Sequence, residues 1–287
     1  MKIIELFNLK RPVISFEVFP PKPELPLDTV FNTIEKLEKL HPDFISVTYG
    51  AGGGIRSRTV DIASEVKNNH KIEALSHLTC ITSTIKDIDD ILHSLKTENI
   101  ENILALRGDA PKDTSNQTPS NRDFRYASDL ISYIKKTDNF CIGAACYPEG
   151  HVETTDKKTD IHNLKLKVDS GVDFLVTQLF FDNSILYSFL EDIRNAGIDC
   201  PVSAGIMPVF STNLIKKLTL MCGATIPKKL IKILNKYESS PEDLTKAGIA
   251  YAITQIQDLI ANEIQGIHLY TMNKSDHMQE IMKNVPS

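Results

Sequence analysis

The chain has 287 residues, 32 Lys and Arg against 37 Asp and Glu, a formal net charge of −5 and 41% hydrophobic residues. That length suits one large α/β barrel or two ordinary domains. The mild negative charge, with no basic run interleaved with aromatics, excludes a nucleic-acid binder, and the absence of an apolar run of membrane-spanning length or a signal-peptide core after Met1 predicts a cytoplasmic protein with no membrane partner.

The first element is a strand closing on Ser15-Phe16-Glu17-Val18-Phe19-Pro20-Pro21, where two prolines end the ladder. Glu17 is the one carboxylate in this apolar run. A carboxylate there is expensive unless it is paired, hydrated at a rim or used in proton transfer. A salt-bridged rim glutamate is the bland alternative.

A helix follows over 27–40, with Val30, Ile34, Leu37 and Leu40 on one face. The second strand is 43–48, trailed by the glycines of Gly50-Ala51-Gly52-Gly53-Gly54 and a helix over 56–68. Strand three is 74–80 with a helix over 84–96, and strand four is 102–107. A long polar loop runs from Gly108 to Arg122 before a helix over 126–135. Strand five is 141–147, followed by another long polar loop and a helix over 163–168. Strand six is 172–178 with a helix over 185–196, and strand seven is 201–207. Helices over 212–221, 227–236 and 241–262 lead to strand eight, 266–270. Strands alternating with helices eight times predict a (β/α)₈ TIM barrel, forming a single α/β domain over 1–287, in preference to an open doubly wound sheet.

In such a barrel the site lies at the C-terminal strand ends. Those ends carry Glu17, Thr48, His77, Arg107-Gly108-Asp109, Tyr147 with His151, Gln178, and Tyr270 with Asn273 and Lys274. His77, flanked by Leu75 and Leu78, reads equally well as a satisfied core histidine. Gln178 at a barrel mouth needs partners, and a heterocycle edge would supply them. Arg107 and Asp109 read either as a local ion pair or as a phosphate contact and a ring N–H contact. The glycines at 50–54 fail the dinucleotide fingerprint, because Ile55 stands where the last glycine belongs and no acidic residue ends the next strand. The loops after strands seven and eight also lack the glycines of the usual barrel phosphate site, so a phosphate-bearing ligand is expected near strands four and five. Cys80, Cys141, Cys146, Cys200 and Cys222 form no metal-type spacing and read as reduced thiols; no metal site is expected.

Several motifs occur together and in order: Ser15-Phe16-Glu17-Val18-Phe19-Pro20-Pro21, Val47-Thr48-Tyr49-Gly50-Ala51, His77-Leu78-Thr79-Cys80, Leu106-Arg107-Gly108-Asp109 and Tyr126-Ala127-Ser128-Asp129-Leu130. Ala145 to His151, Asn163-Leu164-Lys165, Thr177 to Asp182, Gly205 to Pro208 and His268 to Asn273 complete the set. Over nearly its whole length the chain resembles the bacterial methylenetetrahydrofolate reductase family. The resemblance implies a TIM barrel holding FAD non-covalently. It implies reduction of 5,10-methylenetetrahydrofolate to 5-methyltetrahydrofolate for methionine synthesis and one-carbon metabolism, with NADH or NADPH as donor. It further implies that Glu17 is a general acid protonating nitrogen 10 of folate, and that Asp109 lies at the flavin pyrimidine edge and meets the pterin. Thr48, His77, Arg107, Gly108, Asp109, Tyr126, Ala127, Ala145, Tyr147, His151, Asp160, Asn163 and Lys167 match FAD contacts, and Gln178 and Lys274 match substrate contacts alongside Glu17 and Asp109. Three residues depart from the pattern: Leu166 where an arginine is frequent, Lys274 in place of an arginine, and Leu218 in place of a phenylalanine that stacks on folate and nicotinamide. The regulatory domain of eukaryotic relatives is expected to be absent. The alternative reading is a flavin subunit that receives electrons from a partner protein. On assembly, a homo-oligomer and an electron-delivering partner subunit stay open.

Overall fold

In the computed structural model, which describes residues 1–9, 11–49, 56–109 and 123–285, eight strands close into a barrel in chain order. They are β1 Val13–Val18, β2 Phe44–Val47, β3 Glu73–Thr79, β4 Asn102–Leu106, β5 Cys141–Cys146, β6 Phe174–Thr177, β7 Val202–Ile206 and β8 Gly266–Tyr270. Each pairs in parallel with its neighbour, and β8 closes on β1 through Val13↔Gly266 to Glu17↔Tyr270. The helices are α1 Asp28–Glu38, α2 Arg56–Ser64, α3 Ile85–Thr97, α4 Ala127–Thr137, α5 Lys157–Asp169, α6 Asn183–Asn195, α7 Thr212–Cys222, α8 Lys228–Lys236, α9 Pro241–Ala261 and α10 Ser275–Met282. The expected barrel is therefore the one the chain forms.

Side chains alternate across each strand, so every second residue lines the interior. Phe16, Val18, Ile45, Val47, Leu78 and Ile103 pack outward under the helices in the largest apolar cluster. Val13, Phe44, Leu75, Leu104, Cys141, Phe174 and Val176 pack together as a second apolar cluster. Ile3, in a 3₁₀ turn over Ile3–Asn8, is fully buried in that cluster, and its backbone N–H donates to Asn102 Oδ1 at 2.7 Å. Two residues past Val13, Phe44 and Leu75 the side chains become polar, Ser15, Ser46 and His77, joined by His268 of β8, all buried. The barrel thus has an apolar floor and, on the side of β1, β2, β3 and β8, a polar upper layer.

Three differences from the sequence reading stand out. α5 begins at Lys157, six residues before the expected Asn163, because Asp156 caps it by accepting from the Thr159 N–H at 2.9 Å. Its first turns carry no apolar stripe, so periodicity could not reveal them. α10 follows β8, where no helix was expected. α2 continues into a wider π-type turn over Glu65–Asn69.

Candidate active site

The register of β1 sets Glu17 beside Ser46 of β2 and Tyr270 of β8. Its carboxylate Oε2 lies 3.6 Å from His77 Nε2 and 3.5 Å from His268 Nε2. His77 Nε2 is also 2.6 Å from Ser46 Oγ, and His268 Nδ1 is 2.7 Å from Ser15 Oγ. The Ser15 Oγ also lies 3.3 Å from the Ile267 carbonyl. His268 Nε2 is buried, has no hydrogen-bond partner and faces Glu17. Burial pushes the His77 imidazole down to about 4, against the opposing pull of Glu17, so it is neutral at pH 7. The Tyr270 hydroxyl donates to the Thr177 carbonyl at 2.7 Å, and burial holds its pKa well above the usual phenol value.

The backbone under Glu17 is fixed from the far end of the chain. The Thr271 hydroxyl donates to the Glu17 carbonyl at 2.5 Å. The Asn273 side chain accepts from the Phe19 N–H at 3.2 Å and donates to the Phe19 carbonyl at 2.9 Å. Asn273, expected as a mouth residue, is thus a brace for β1.

The second half of the site lies beyond β4 and β5. Arg107, Tyr126, Ala127, Ala145, Tyr147, His151, Asp160, Asn163 and Lys167 line one cavity of about 470 Å³, with Leu166 at its wall. Gly108 and Asp109 continue from Arg107, with Gly108 in the left-handed region at φ 84°. Thr48 and His77 do not line this cavity, and His77 sits with Glu17 instead. Lys167 Nζ donates to the Ala145 carbonyl at 2.7 Å and lies 5.9 Å from the Tyr147 ring centre. Burial lowers its pKa. No carboxylate pairs with this ammonium among the described residues, which leaves a part-buried cation with donor capacity free. His151 N–H and the Thr154 hydroxyl both donate to Asp160, at 3.3 and 3.2 Å, so Asp160 braces the loop that forms the cavity wall.

Arg107 does not form the local ion pair with Asp109. Its two terminal nitrogens donate to the two Glu153 oxygens at 2.6 and 2.7 Å, because the β5–α5 loop brings Glu153 across the cavity rim. Gln178 meets its polar requirement partly within its own turn: its Oε1 accepts from the Leu179 N–H at 2.8 Å. Lys274 is exposed just before α10, and Leu218 is half-buried against the apolar cluster around Tyr270 and Met272. The glycines at 50–54 lie outside the described residues. All five cysteines are free, and burial pushes the Cys80 and Cys141 thiols up to about 12. Among the described residues no His, Cys, Asp and Glu cluster could hold a metal ion, and no helix is long and apolar enough to cross a membrane.

Ser15, Ser46 and His268 were missed as site residues. Ser15 had a sequence signal, two residues before Glu17 on the same face of the strand, whereas Ser46 and His268 gain their place only through the pairing of β2 and β8 with β1.

A model of the methylenetetrahydrofolate reductase family matches residues 2–286. The chain belongs to this family. It is similar to 5,10-methylenetetrahydrofolate reductase of Escherichia coli K12, at 35% identity over 263 residues, covering 92% of this chain and 87% of that one. It is also similar to a probable methylenetetrahydrofolate reductase (NADH) of Oryza sativa, at 35% identity over 300 residues, covering 99% of this chain and 50% of that one. The chain therefore spans about half the length of its plant relatives. A solved structure from Clostridium thermocellum, described as binding two copies of 5-methyl-5,6,7,8-tetrahydrofolic acid, shares the fold with a TM-score of 0.65 at 15% identity, covering 98% of this chain and 95% of that one.

Proposed function

We propose that this chain, as one domain, reduces 5,10-methylenetetrahydrofolate to 5-methyltetrahydrofolate, using non-covalent FAD reduced by NADH or NADPH. The observation that carries the reading is Glu17 between two buried histidines at the top of the barrel interior, in a chain matched to the family from end to end. The Escherichia coli and Oryza relatives bear the name of this activity.

The cavity beyond β4 and β5 suits a flavin dinucleotide. Lys167 supplies a cation with donor capacity free where a diphosphate needs one, Arg107 adds a second on releasing Glu153, and the small Ala145 keeps the wall open for a close approach. Bound there, the flavin supplies the hydride. Glu17 gives its proton to nitrogen 10 of the folate, opening the five-membered ring so that the one-carbon unit can accept hydride. His268 Nε2, buried and facing that carboxyl, is placed to hydrogen-bond the acid and so orient it. Asp109 and Gln178, at the exits of β4 and β6, meet the polar edge of the pterin, and Lys274 meets the substrate glutamate. Thr48 closes the flavin side from β2.

The test is anaerobic mixing of the purified protein with NADH, with NADPH and then with methylenetetrahydrofolate, following flavin absorbance. Bleaching by a nicotinamide and recovery by the folate is the expected result; a protein that neither contains nor takes up FAD would refute the reading. Leu218, which replaces an aromatic stacking surface, favours one second reading, electron delivery by a partner protein. Slow bleaching by both nicotinamides with normal recovery by the folate would select it.

A further inference from the structure

The end of the β6–β7 pairing departs from a regular ladder. β5 and β6 pair from Gly143↔Phe174 to Cys146↔Thr177, whereas β6 and β7 pair only at Leu175↔Val202 and Val176↔Ser203. The Leu175 N–H donates to the Pro201 carbonyl at 2.8 Å, so the alternation of a parallel ladder would have the Gly205 N–H donate to the Thr177 carbonyl. It donates instead to the Thr177 side chain, 2.8 Å from Oγ1, and the freed carbonyl accepts from the Tyr270 hydroxyl at 2.7 Å. A side chain thus replaces the last ladder bond, and a phenol takes the carbonyl it releases.

Tyr270 reaches Thr177 from β8, across β7. Gly205 makes the crossing possible, because a Cβ there would lie 2.3 Å from the Thr177 carbonyl oxygen, 2.7 Å from the Tyr270 hydroxyl and 2.8 Å from its ring. The ring stands edge-on to His268, with 5.4 Å between centres at 87°, and Tyr270 is in register with Glu17. Burial, and then the nearby Glu17, keep the phenol protonated and therefore a donor. Tyr270 is a strut between the strand paired with Glu17 and the exit of β6.

That exit presents Gln178. The Thr177 carbonyl and the Gln178 N–H belong to one peptide unit, held on one side by Tyr270 and on the other by the Cys146 carbonyl, which accepts from the Gln178 N–H at 2.7 Å. The Gln178 Oε1 accepts from the Leu179 N–H at 2.8 Å, and this backbone donor fixes which end of the amide is oxygen. The Nε2 hydrogens have no partner among the described residues, so β6 offers two donors to the mouth.

We propose that Tyr270 is a positioning residue: through the Thr177 carbonyl it sets the Thr177–Gln178 peptide plane, and so aims the Gln178 amide at the polar edge of the pterin in a fixed relation to Glu17. This rests on the folate reading above, and it assigns the placement of the ring relative to the acid to a hydroxyl that acts through the backbone.

Tyr270→Phe removes only that hydroxyl. Thr177→Val removes the oxygen that keeps the Gly205 N–H off the carbonyl, and Thr177→Ser retains it. The probe is 5-methyltetrahydrofolate, titrated by calorimetry into the FAD-loaded protein. Affinity should fall about tenfold in Tyr270→Phe and in Thr177→Val, the loss expected when a buried acceptor is left unsatisfied or re-paired, and KM for methylenetetrahydrofolate should rise with it. Thr177→Ser should bind as the wild type does, and FAD affinity and flavin bleaching by the nicotinamide should not change in any of the three. In a Gln178→Ala background, Tyr270→Phe should weaken the probe no further, because the two residues act as one unit. A further tenfold loss in that background would overturn the proposal, as would full affinity in Tyr270→Phe or equal loss of FAD and folate binding with a lowered thermal midpoint. Should Tyr270→Phe not fold, Thr177→Val against Thr177→Ser in the same background decides in its place. A wild type that takes up FAD but binds no folate overturns the folate reading itself, whereas one that binds folate equally with and without the hydroxyl overturns the positioning alone.

Discussion

At the scale of single residues, the proposed reading separates proton transfer at Glu17 from cofactor holding at Lys167. Glu17→Gln keeps the size and hydrogen-bonding reach of the side chain but removes its proton. Bleaching of the flavin by the nicotinamide should continue at the wild-type rate in this variant, while folate reduction falls by about 10²–10⁴, as expected for loss of a general acid. Equal loss in both half-reactions would place Glu17 outside the acid role. Lys167→Met removes the buried ammonium at constant length; flavin titration should show FAD binding roughly 10–100-fold weaker, the worth of a charged hydrogen bond. His77 makes a pH prediction. Its pKa is lowered by burial from 6.5 to about 4, so below pH 6.5 the unfolded chain binds a proton that the folded one refuses. Stability is therefore full above pH 6.5 and is lost as the pH falls toward 4. Urea midpoints across that window should drop less steeply in His77→Gln than in the wild type.

At the scale of elements, the strands were legible because each is a short apolar run ended by glycine, proline or a polar cluster. α5 was read six residues late, because a cap and a polar first turn hold it rather than an apolar stripe. The same logic separates the site residues. Glu17 was visible as a charge in an apolar strand. His268 was not, because a histidine between Ile267 and Leu269 gains its meaning only when β8 pairs with β1 and turns its ring toward Glu17. The Arg107–Glu153 pair was equally hidden, since it joins residues 46 apart through a loop whose path the sequence does not specify. Packing between elements gives a further test. A Cβ on Gly205 of β7 would lie 2.3 Å from the Thr177 carbonyl and 2.7 Å from the Tyr270 hydroxyl. Gly205→Ala should therefore cost about 1–3 kcal/mol by overpacking, and break the Tyr270 hydrogen bond. Thermal unfolding reads the first effect and the pH titration of tyrosine absorbance the second.

For the molecule as a whole, the barrel divides its labour along its axis. The floor, with Ile3, Phe44 and Phe174 fully buried, contributes apolar packing, while the upper layer carries buried polar groups that cost stability unless satisfied. A cofactor that binds the folded chain alone adds to that balance by mass action. FAD at one hundred times its dissociation constant should stabilise the fold by about 2.7 kcal/mol, seen as a higher thermal midpoint. In Lys167→Met, with affinity down roughly 10–100-fold, the same FAD concentration should add only about 0.4–1.4 kcal/mol. The barrel itself was legible from eight alternating units. The division between floor and polar layer followed from strand register, which the hydrophobic pattern sets but does not display.

The brace between the chain's two ends has a consequence for synthesis. Glu17 leaves the ribosome among the first residues, yet Thr271 and Asn273, which fix its backbone, lie 254 residues later in their contacts with Glu17 and Phe19. The histidine that faces its carboxyl is equally late, with Ser15 and His268 separated by 253 residues. A nascent chain thus carries Glu17 and seven of its strands before the residues that position it exist. On the proposed reading, a fragment stalled before the last strand would lack a positioned proton donor and be catalytically silent.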